Sequence, residues 1–550
     1  MSAFPKSVFF IVGNEACERF SFYGMRSVLT LYILHALQRS ESFATATVHL
    51  FTMGVYFMPL LGAWIADKFW GRYATILTLS TVYIAGNAVL ALTVGSPVGL
   101  GIGLSLIAFG SGGIKPCVSA FMGEQFSPEH RDFIARAFGM FYWAINFGSF
   151  FAFAVIPVIK DNFGYTWAFG IPGIAMGLAT IVFAAGTPLY KRGLGEWATL
   201  PAGTILRRVL SSAALYGAAP ALFFCVVIVL LAPETLGAAV ASLSVPGKFA
   251  FIAAFGAAAY AAIACIFAIA GFLPRGLSKL ASLALAEKKS AEKGVPANTS
   301  ATVPANENSA VPALAKPAVP EMTAMERFRA IRGILLLFAV IPVFWALFDQ
   351  MSTTWVILGG QMSATSILSY PINTETMQNA NSLFVMLLIP IFSFLLYPAL
   401  NKTRLFKATP LRRMTTGMIL SAAAFVICGL LQHAVDAAAV AGAPKLSVFW
   451  MLIPYFVLTS GEVLFSATGL EFAFSQAPAA MRSTITSLWN LTTALGNFLV
   501  VLVVVVASDL SAATRFYFFA GLMLAVAVVF GTFSVFYKYK NVPAADASAA

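Results

Sequence analysis

Apolar residues in this chain come in long unbroken runs, and polar residues gather between them. Fourteen runs stand near 7–35, 44–66, 74–94, 98–121, 136–159, 166–187, 206–232, 248–273, 331–357, 379–399, 412–433, 447–473, 483–507 and 514–537. A helix of about 20 apolar residues matches the ~30 Å hydrocarbon core of a bilayer. A single segment can cross that core only as a helix, which satisfies its own backbone. The pattern therefore predicts an all-α polytopic membrane protein with about fourteen transmembrane helices. Residues 276–325, which include KLASLALAEKKSAEKGVPANTS, break the pattern and read as a flexible linker holding one short helix.

Composition agrees, since 59% of the 550 residues are hydrophobic and only 10% charged. Soluble domains carry about a quarter. The N-terminal MSAFPKSVFFIVGNEACERF meets charge too early for a signal peptide and shows no small-residue cleavage site, so it reads as a retained first helix. Cys17, Cys117, Cys225, Cys265 and Cys428 all lie in apolar segments without metal-ligand spacing, which predicts neither disulfides nor a metal.

The net charge of +12 does not point to nucleic acid. Cations concentrate in alternate loops: Lys68 and Arg72; Arg131 and Arg136; Lys191, Arg192, Arg207 and Arg208; Lys402, Arg404, Lys407, Arg412 and Arg413; Lys538 and Lys540. The intervening loops offer Arg39, Lys160, Lys248, Lys445 and Arg515. The positive-inside rule then puts both termini in the cytoplasm.

Six runs precede residue 190, six follow residue 330, and two lie between. This divides the chain into an N-terminal bundle (1–190), an inserted hairpin (191–275), the linker (276–325) and a C-terminal bundle (326–550). LLGAWIADKFWGRY and LLYPALNKTRLFKATPLRR follow corresponding helices of the two halves, as parallel repeats would.

Charge inside the runs is rare and ordered. With the inserted pair set aside, the first helix holds Glu15, Glu18, Arg19 and Arg26, the fourth Lys115, the seventh Asp349, and the tenth Glu462 and Glu471. His49 stands near the start of the second. Ionisable residues at membrane depth are costly and face a bundle interior or a cavity. Positions 15, 18, 19, 22, 23 and 26 recur at steps of three and four and share one helix face. A cavity offering both signs suits a zwitterion, with Arg as a bidentate fork, Lys as a point charge and Glu for an ammonium. Internal pairing of Glu15 with Arg19 is the purely structural alternative. Glu471, nine residues past Glu462, falls on another face. His35, His130 and His433 lie near helix ends and read as structural. The run GLGIGLSLIAFGSGG follows no strand, so its glycines read as close helix packing rather than a nucleotide loop. No nucleophile–base pair or metal cluster suggests an enzyme.

The motifs together resemble the proton-dependent oligopeptide transporter family of the major facilitator superfamily. They are ExxERFSFYGMR (15–26), GSGGIKPCVSAFMGEQF (110–126), FYWAINFGS (141–149), FWALFDQ with its final glutamine (344–350) and PYFVLTSGEVLFSATGLEFAFSQAP (454–478). The resemblance implies a major facilitator fold of two six-helix bundles, here with an inserted helix pair, and a proton-coupled symporter of di- and tripeptides working by alternating access. It implies Glu15, Glu18 and Arg19 as the proton-coupling triad, Arg19 and Lys115 as ligands of the peptide carboxylate, and Glu462 with Asn146 and Asn381 as ligands of its amino group. Arg26 with Asp349 would form a gate that protonation releases, and His49 matches a histidine found in animal members. Tyr23, Tyr56, Tyr142, Trp345, Tyr455 and Trp489 match aromatic pocket positions. The expected partners are short peptides, protons and the lipid bilayer, in a bacterial inner membrane, with the monomer sufficient and no cofactor beyond the proton gradient. The alternative cargo is another amphipathic or anionic solute such as nitrate. Two positions depart from common family patterns: Phe22 replaces a tyrosine, and the seventh-helix acid is the shorter Asp349.

Overall fold

The computed structural model describes residues 4–126, 133–191, 193, 247, 333–402, 409–476 and 482–537. Within them, nine helical segments are long and apolar enough to cross a bilayer. Two of these, Glu41–Leu92 and Arg136–Ala185, have 52 and 50 residues, enough for two crossings each. With those counted as pairs and the charged first helix added, twelve crossings run through the described chain. The expected spans at 206–232 and 248–273, the linker at 276–325, and Arg131, Arg192, Arg207, Arg208, Arg404, Lys407, Lys538, Lys540, His130, Cys225 and Cys265 lie outside the described residues.

The first four crossings are Ser7–Leu31, Glu41–Ile65, Gly71–Leu92 and Pro97–Glu124. Ser40 starts the second by accepting from the Phe43 N–H at 3.2 Å, and Ser96 starts the fourth by accepting from Gly99 at 3.1 Å. Pro97 follows at the helix start, where its missing N–H costs nothing. The fourth crossing continues through Pro116. Its glycines serve packing as expected: a Cβ on Gly110 would meet Leu79 and Tyr83, and one on Gly112 would meet Val55 and Met58.

The fifth and sixth crossings form one hydrogen-bonded run, Ile134–Ala185, interrupted at Gly164 (φ +78°). That backbone is open to glycine and strained for other residues. The polar run Lys160-Asp161-Asn162 suggested a loop after residue 159, but the helix carries these residues onward to the break. Lys160 is thus a helix residue, not a loop cation.

The seventh crossing departs from the single expected helix. It starts with helical residues 333–338 and, after a turn, runs as Pro342–Phe348, a 3-10 turn at Asp349–Ser352, and Thr354–Gly360, with Thr353 outside helical geometry (φ −131°, ψ −89°). A two-stranded hairpin that the sequence pattern did not announce follows, pairing Thr365–Ile367 with Tyr370–Ile372. The eighth crossing comprises Thr374–Met377, Asn379–Ile391 and Tyr397–Lys402. The last four are Pro410–Val440, Leu452–Gln476, Arg482–Val506 and Ala512–Phe536.

Each half encloses its own apolar core. One contains Met25, Tyr83, Ile107 and Phe183, the other Phe344, Trp355, Phe425 and Phe519. A third cluster joins them, in which Ala46, Leu50 and Met53 of the second crossing pack on Leu491, Leu495 and Phe498 of the eleventh. These are the two bundles of a major facilitator fold, with that seam beside the charged residues.

Candidate functional site: a buried charge network between the bundles

The first crossing is buried on nearly every side, so its charges must find partners inside the protein. Arg19 Nε lies 3.0 Å from Glu15 Oε1, and its Nη2 contacts Glu18 Oε2. Ser111 of the fourth crossing donates to Glu18 Oε1 at 3.1 Å. Gly148 of the fifth lets the helices meet here, because a Cβ would strike the Ala16 carbonyl oxygen and the Arg19 Cβ. The structural pairing of Glu15 with Arg19 is real, but it is one part of a three-residue cluster.

Lys115 is treated differently. Its ammonium sits 4.5 Å from the Phe22 ring centre and 4.6 Å from that of Tyr56. Aromatic faces attract cations by about 0.5–2 kcal/mol, so these rings hold the charge without neutralising it. Phe22 is 1% exposed and packs on Phe51 and Tyr23. Phe22 thus offers Lys115 an aromatic face without a hydroxyl.

One turn further along, Arg26 Nη2 donates to Asp349 Oδ1 at 2.9 Å. The shorter acid reaches Arg26 from the residue at which the seventh crossing opens into its 3-10 turn. The freed carbonyls take side-chain donors from the first crossing: Thr30 Oγ1 reaches the Ser352 oxygen at 2.5 Å, and Arg26 the Asp349 oxygen at 3.5 Å. Asp349 Oδ2 accepts from Asn497 at 2.7 Å. His49, fully buried, has Nδ1 2.7 Å from Asn497 Oδ1 and Nε2 2.9 Å from Thr353 Oγ1.

In the second bundle, Asn381 Nδ2 donates to Glu462 Oε2 at 2.9 Å and to Thr459 at 3.0 Å. Trp345 and Trp489 meet edge to face at 6.1 Å, and the Trp345 indole N–H is buried without a hydrogen-bond partner. Asn146 donates to the Tyr142 carbonyl at 3.0 Å, while the Tyr142 side chain is exposed. Tyr23 packs against Phe153. Tyr455 stands apart from this group. Its ring is buried against Trp355 and its hydroxyl donates to the Met351 carbonyl at 3.4 Å.

Sequence reading missed several participants. Lys160 pairs with the fully buried Glu375 and lies 3.0 Å from Asp161. Ser149 and Ser382 exchange a hydrogen bond at 2.9 Å, Gln378 donates to the Ser27 carbonyl at 3.0 Å, and Tyr370 of the hairpin donates to the Ala154 carbonyl at 2.5 Å. Apart from the Lys160–Asp161 contact, each of these joins the two bundles. Glu375 lies just before the apolar run at 379–399, outside any predicted span, and Asn497 and Thr353 are neutral, so no charge flagged them. Among the described residues, no group of three or more His, Cys, Asp or Glu could hold a metal ion.

Comparison with known proteins agrees with this geometry. A model of the POT family matches residues 73–199 and 280–518. "Peptide transporter family 2" of Caenorhabditis elegans is 32% identical over 443 residues, covering 78% of this chain and 47% of that protein. "Solute carrier family 15 member 2" of Rattus norvegicus is 32% identical over 451 residues, covering 79% and 50%. The chain spans about half the length of these animal relatives. Two crystal structures match almost end to end, each at 35% identity and covering 98% of this chain and 99% of the other. One is an auto-inhibited POT family peptide transporter (TM-score 0.72) and the other the POT family transporter PepTSo (TM-score 0.70). The family match in both halves and the 35% identity to these structures carry one conclusion: this chain is a multi-pass membrane protein belonging to the POT family.

Proposed function

We propose that this protein is a proton-coupled symporter that imports di- and tripeptides by alternating access. The observation that carries the reading is the pairing of two bundles through buried groups that can each change charge state or partner. On the first bundle, Arg19 and Lys115 would take the peptide carboxylate. On the second, Glu462, held by Asn381, would take the ammonium. Binding the two termini leaves side chains free to vary, which suits a broad peptide substrate. Tyr23, Tyr56, Tyr142, Asn146, Trp345 and Trp489 would line the space between, with Tyr455 supporting it from behind.

The same geometry supports a reading of proton coupling. Arg26 is held to the second bundle by the Asp349 carboxylate. A proton on that carboxylate removes the charge that holds Arg26, and His49 lies one amide away. Glu15 and Glu18 compete for Arg19 with any incoming carboxylate, so peptide binding frees one of them to accept a proton. The hairpin half would face the outside by the positive-inside rule, with both termini cytoplasmic in a bacterial inner membrane. The inter-bundle contacts would then seal the outer entrance. All these groups come from one chain, so a monomer suffices, and the proton gradient supplies the energy without a cofactor.

The test is uptake of dialanine into proteoliposomes under an inward proton gradient. Gradient-dependent accumulation, competed by other dipeptides, is expected. Accumulation of nitrate with no peptide competition would replace the cargo, and no accumulation of either would remove the reading.

A further inference from the structure

Asn497 has no role in the assignments above, yet it touches both His49 and Asp349. It is fully buried on the eleventh crossing. Its Nδ2 donates two hydrogen bonds, to Asp349 Oδ2 at 2.7 Å and to the Thr493 carbonyl at 2.9 Å. A carbonyl and a carboxylate paired to an arginine offer no proton in return. Turning the amide over would set its oxygen against both acceptors, so the orientation is fixed by its neighbours. The amide oxygen is thereby aimed at His49 Nδ1, 2.7 Å away. An amide oxygen only accepts, so Nδ1 must carry a proton.

The lone pair of neutral His49 then falls on Nε2, facing the Thr353 hydroxyl at 2.9 Å. A hydroxyl donates to a bare nitrogen and accepts from a protonated one. In the second case its own proton turns to the Gln350 carbonyl, 3.4 Å away. One side of the ring is therefore fixed and the other adapts. The charged groups facing the ring are Asp349 of the seventh crossing and Arg26 of the first; among the described residues the second and eleventh crossings add none.

We infer that Asn497 is a positioning residue: it fixes His49 as the Nδ1–H tautomer, makes Nε2 the atom that gains and loses the proton, and relays that change to the Arg26–Asp349 pair. The inference rests on the coupling reading proposed above. A proton on Nε2 puts positive charge on the ring, strengthens the Nδ1–H bond to the amide oxygen, and polarises Nδ2 toward Asp349. The carboxylate then leans on Asn497 at the expense of Arg26.

The test has two arms on the purified full-length chain. With 15N-labelled histidine only four residues report, and His49 is identified by the signal lost in His49→Gln. At alkaline pH the unmodified protein should show a protonated Nδ1 and a bare Nε2, whereas Asn497→Leu should shift the ring toward Nε2–H. An Nε2–H ring in the unmodified protein overturns the inference. In proteoliposomes, Asn497→Leu should lower gradient-driven dialanine accumulation about tenfold further than it lowers peptide exchange without a gradient. Equal loss of both, or loss of neither, overturns the relay. Asn497→Asp keeps an acceptor for Nδ1 and loses both donors, so it should keep the tautomer and still lose accumulation; it decides the matter if the leucine variant does not fold. An unmodified protein that neither accumulates nor exchanges dialanine defeats the transport reading instead, and the tautomer is still measured.

Discussion

Arg26 and Asp349 stand 323 positions apart in the chain and meet at 2.9 Å with both side chains more than nine-tenths buried. The pair spans two bundles that have separate apolar cores, so it reports directly on how the bundles stand toward each other. Burying two charges is offset only when the geometry is good and the remaining hydrogen-bonding capacity is used. Asp349 meets that condition through Asn497.

Removing one partner should therefore cost more than removing both. Asp349→Asn leaves a buried guanidinium without its counter-charge, a loss of about 3–5 kcal/mol. Arg26→Gln combined with Asp349→Asn should recover most of it. Thermal unfolding of the purified single and double variants measures the difference, and additive losses would show that the two residues do not act as a pair.

The Ser149–Ser382 contact gives a direct handle on bundle movement. Their hydroxyl oxygens lie 2.9 Å apart across the seam, which suits the short Cβ separation a disulfide needs, about 3.5–4.5 Å. Ser149→Cys with Ser382→Cys, in a background lacking the native cysteines, should crosslink under mild oxidation and stop uptake. Reductant should restore it. Full uptake with the crosslink in place would mean that this seam does not open during transport.

If the proposed transport reading holds, terminal recognition would divide between the bundles, and its two ends should fail separately. Lys115→Gln removes the charge held between Phe22 and Tyr56. It should weaken a free dipeptide by about tenfold or more, as expected for a charge-assisted contact of 1.5–3 kcal/mol, and leave a C-terminally amidated peptide nearly unaffected. Glu462→Gln should do the reverse, sparing an N-acetylated peptide. Competition for labelled dialanine reads both. Equal losses on blocked and free peptides would remove these roles.

What the sequence made legible follows from what charge does in a membrane. Glu15, Glu18, Arg19, Arg26, Lys115, Asp349 and Glu462 stood out because an ionisable group in an apolar run demands a partner. Of pairings across the bundles, the family resemblance implied Arg26 with Asp349, and that contact is present. Neutral members of the same network were invisible. Asn497 and Thr353 look like ordinary polar residues in apolar helices until folding sets them against His49. Lys160 and Glu375 were hidden for another reason: hydrophobicity marks where a helix enters lipid, not where it ends. Hydrogen bonding continues past the apolar stretch at Lys160 until Gly164, and Asn373 caps a new helix just before Glu375. The broken seventh crossing was likewise unreadable, because its freed carbonyls are satisfied by Thr30 and Arg26 from a distant part of the chain.

The last prediction concerns the helix contact that sets Arg19 in place. A methyl group on Gly148 would meet the Ala16 carbonyl oxygen, the Arg19 Cβ at 2.9 Å and the Phe20 nitrogen at 3.0 Å. Two of these are backbone atoms, which cannot swing aside, so the fifth crossing would have to move away from the first. Gly148→Ala should destabilise the protein by about 1–3 kcal/mol, the usual cost of overpacking, and should disturb transport through the Arg19 cluster. Gly177 in the sixth crossing has nothing within 4 Å of the same added atom. Gly177→Ala should be neutral or stabilise by up to about 1 kcal/mol, because alanine loses less backbone freedom in a helix. Thermal unfolding and dialanine uptake of the two variants side by side make the comparison. Equal tolerance of both would show that the first and fifth crossings do not approach as closely as described.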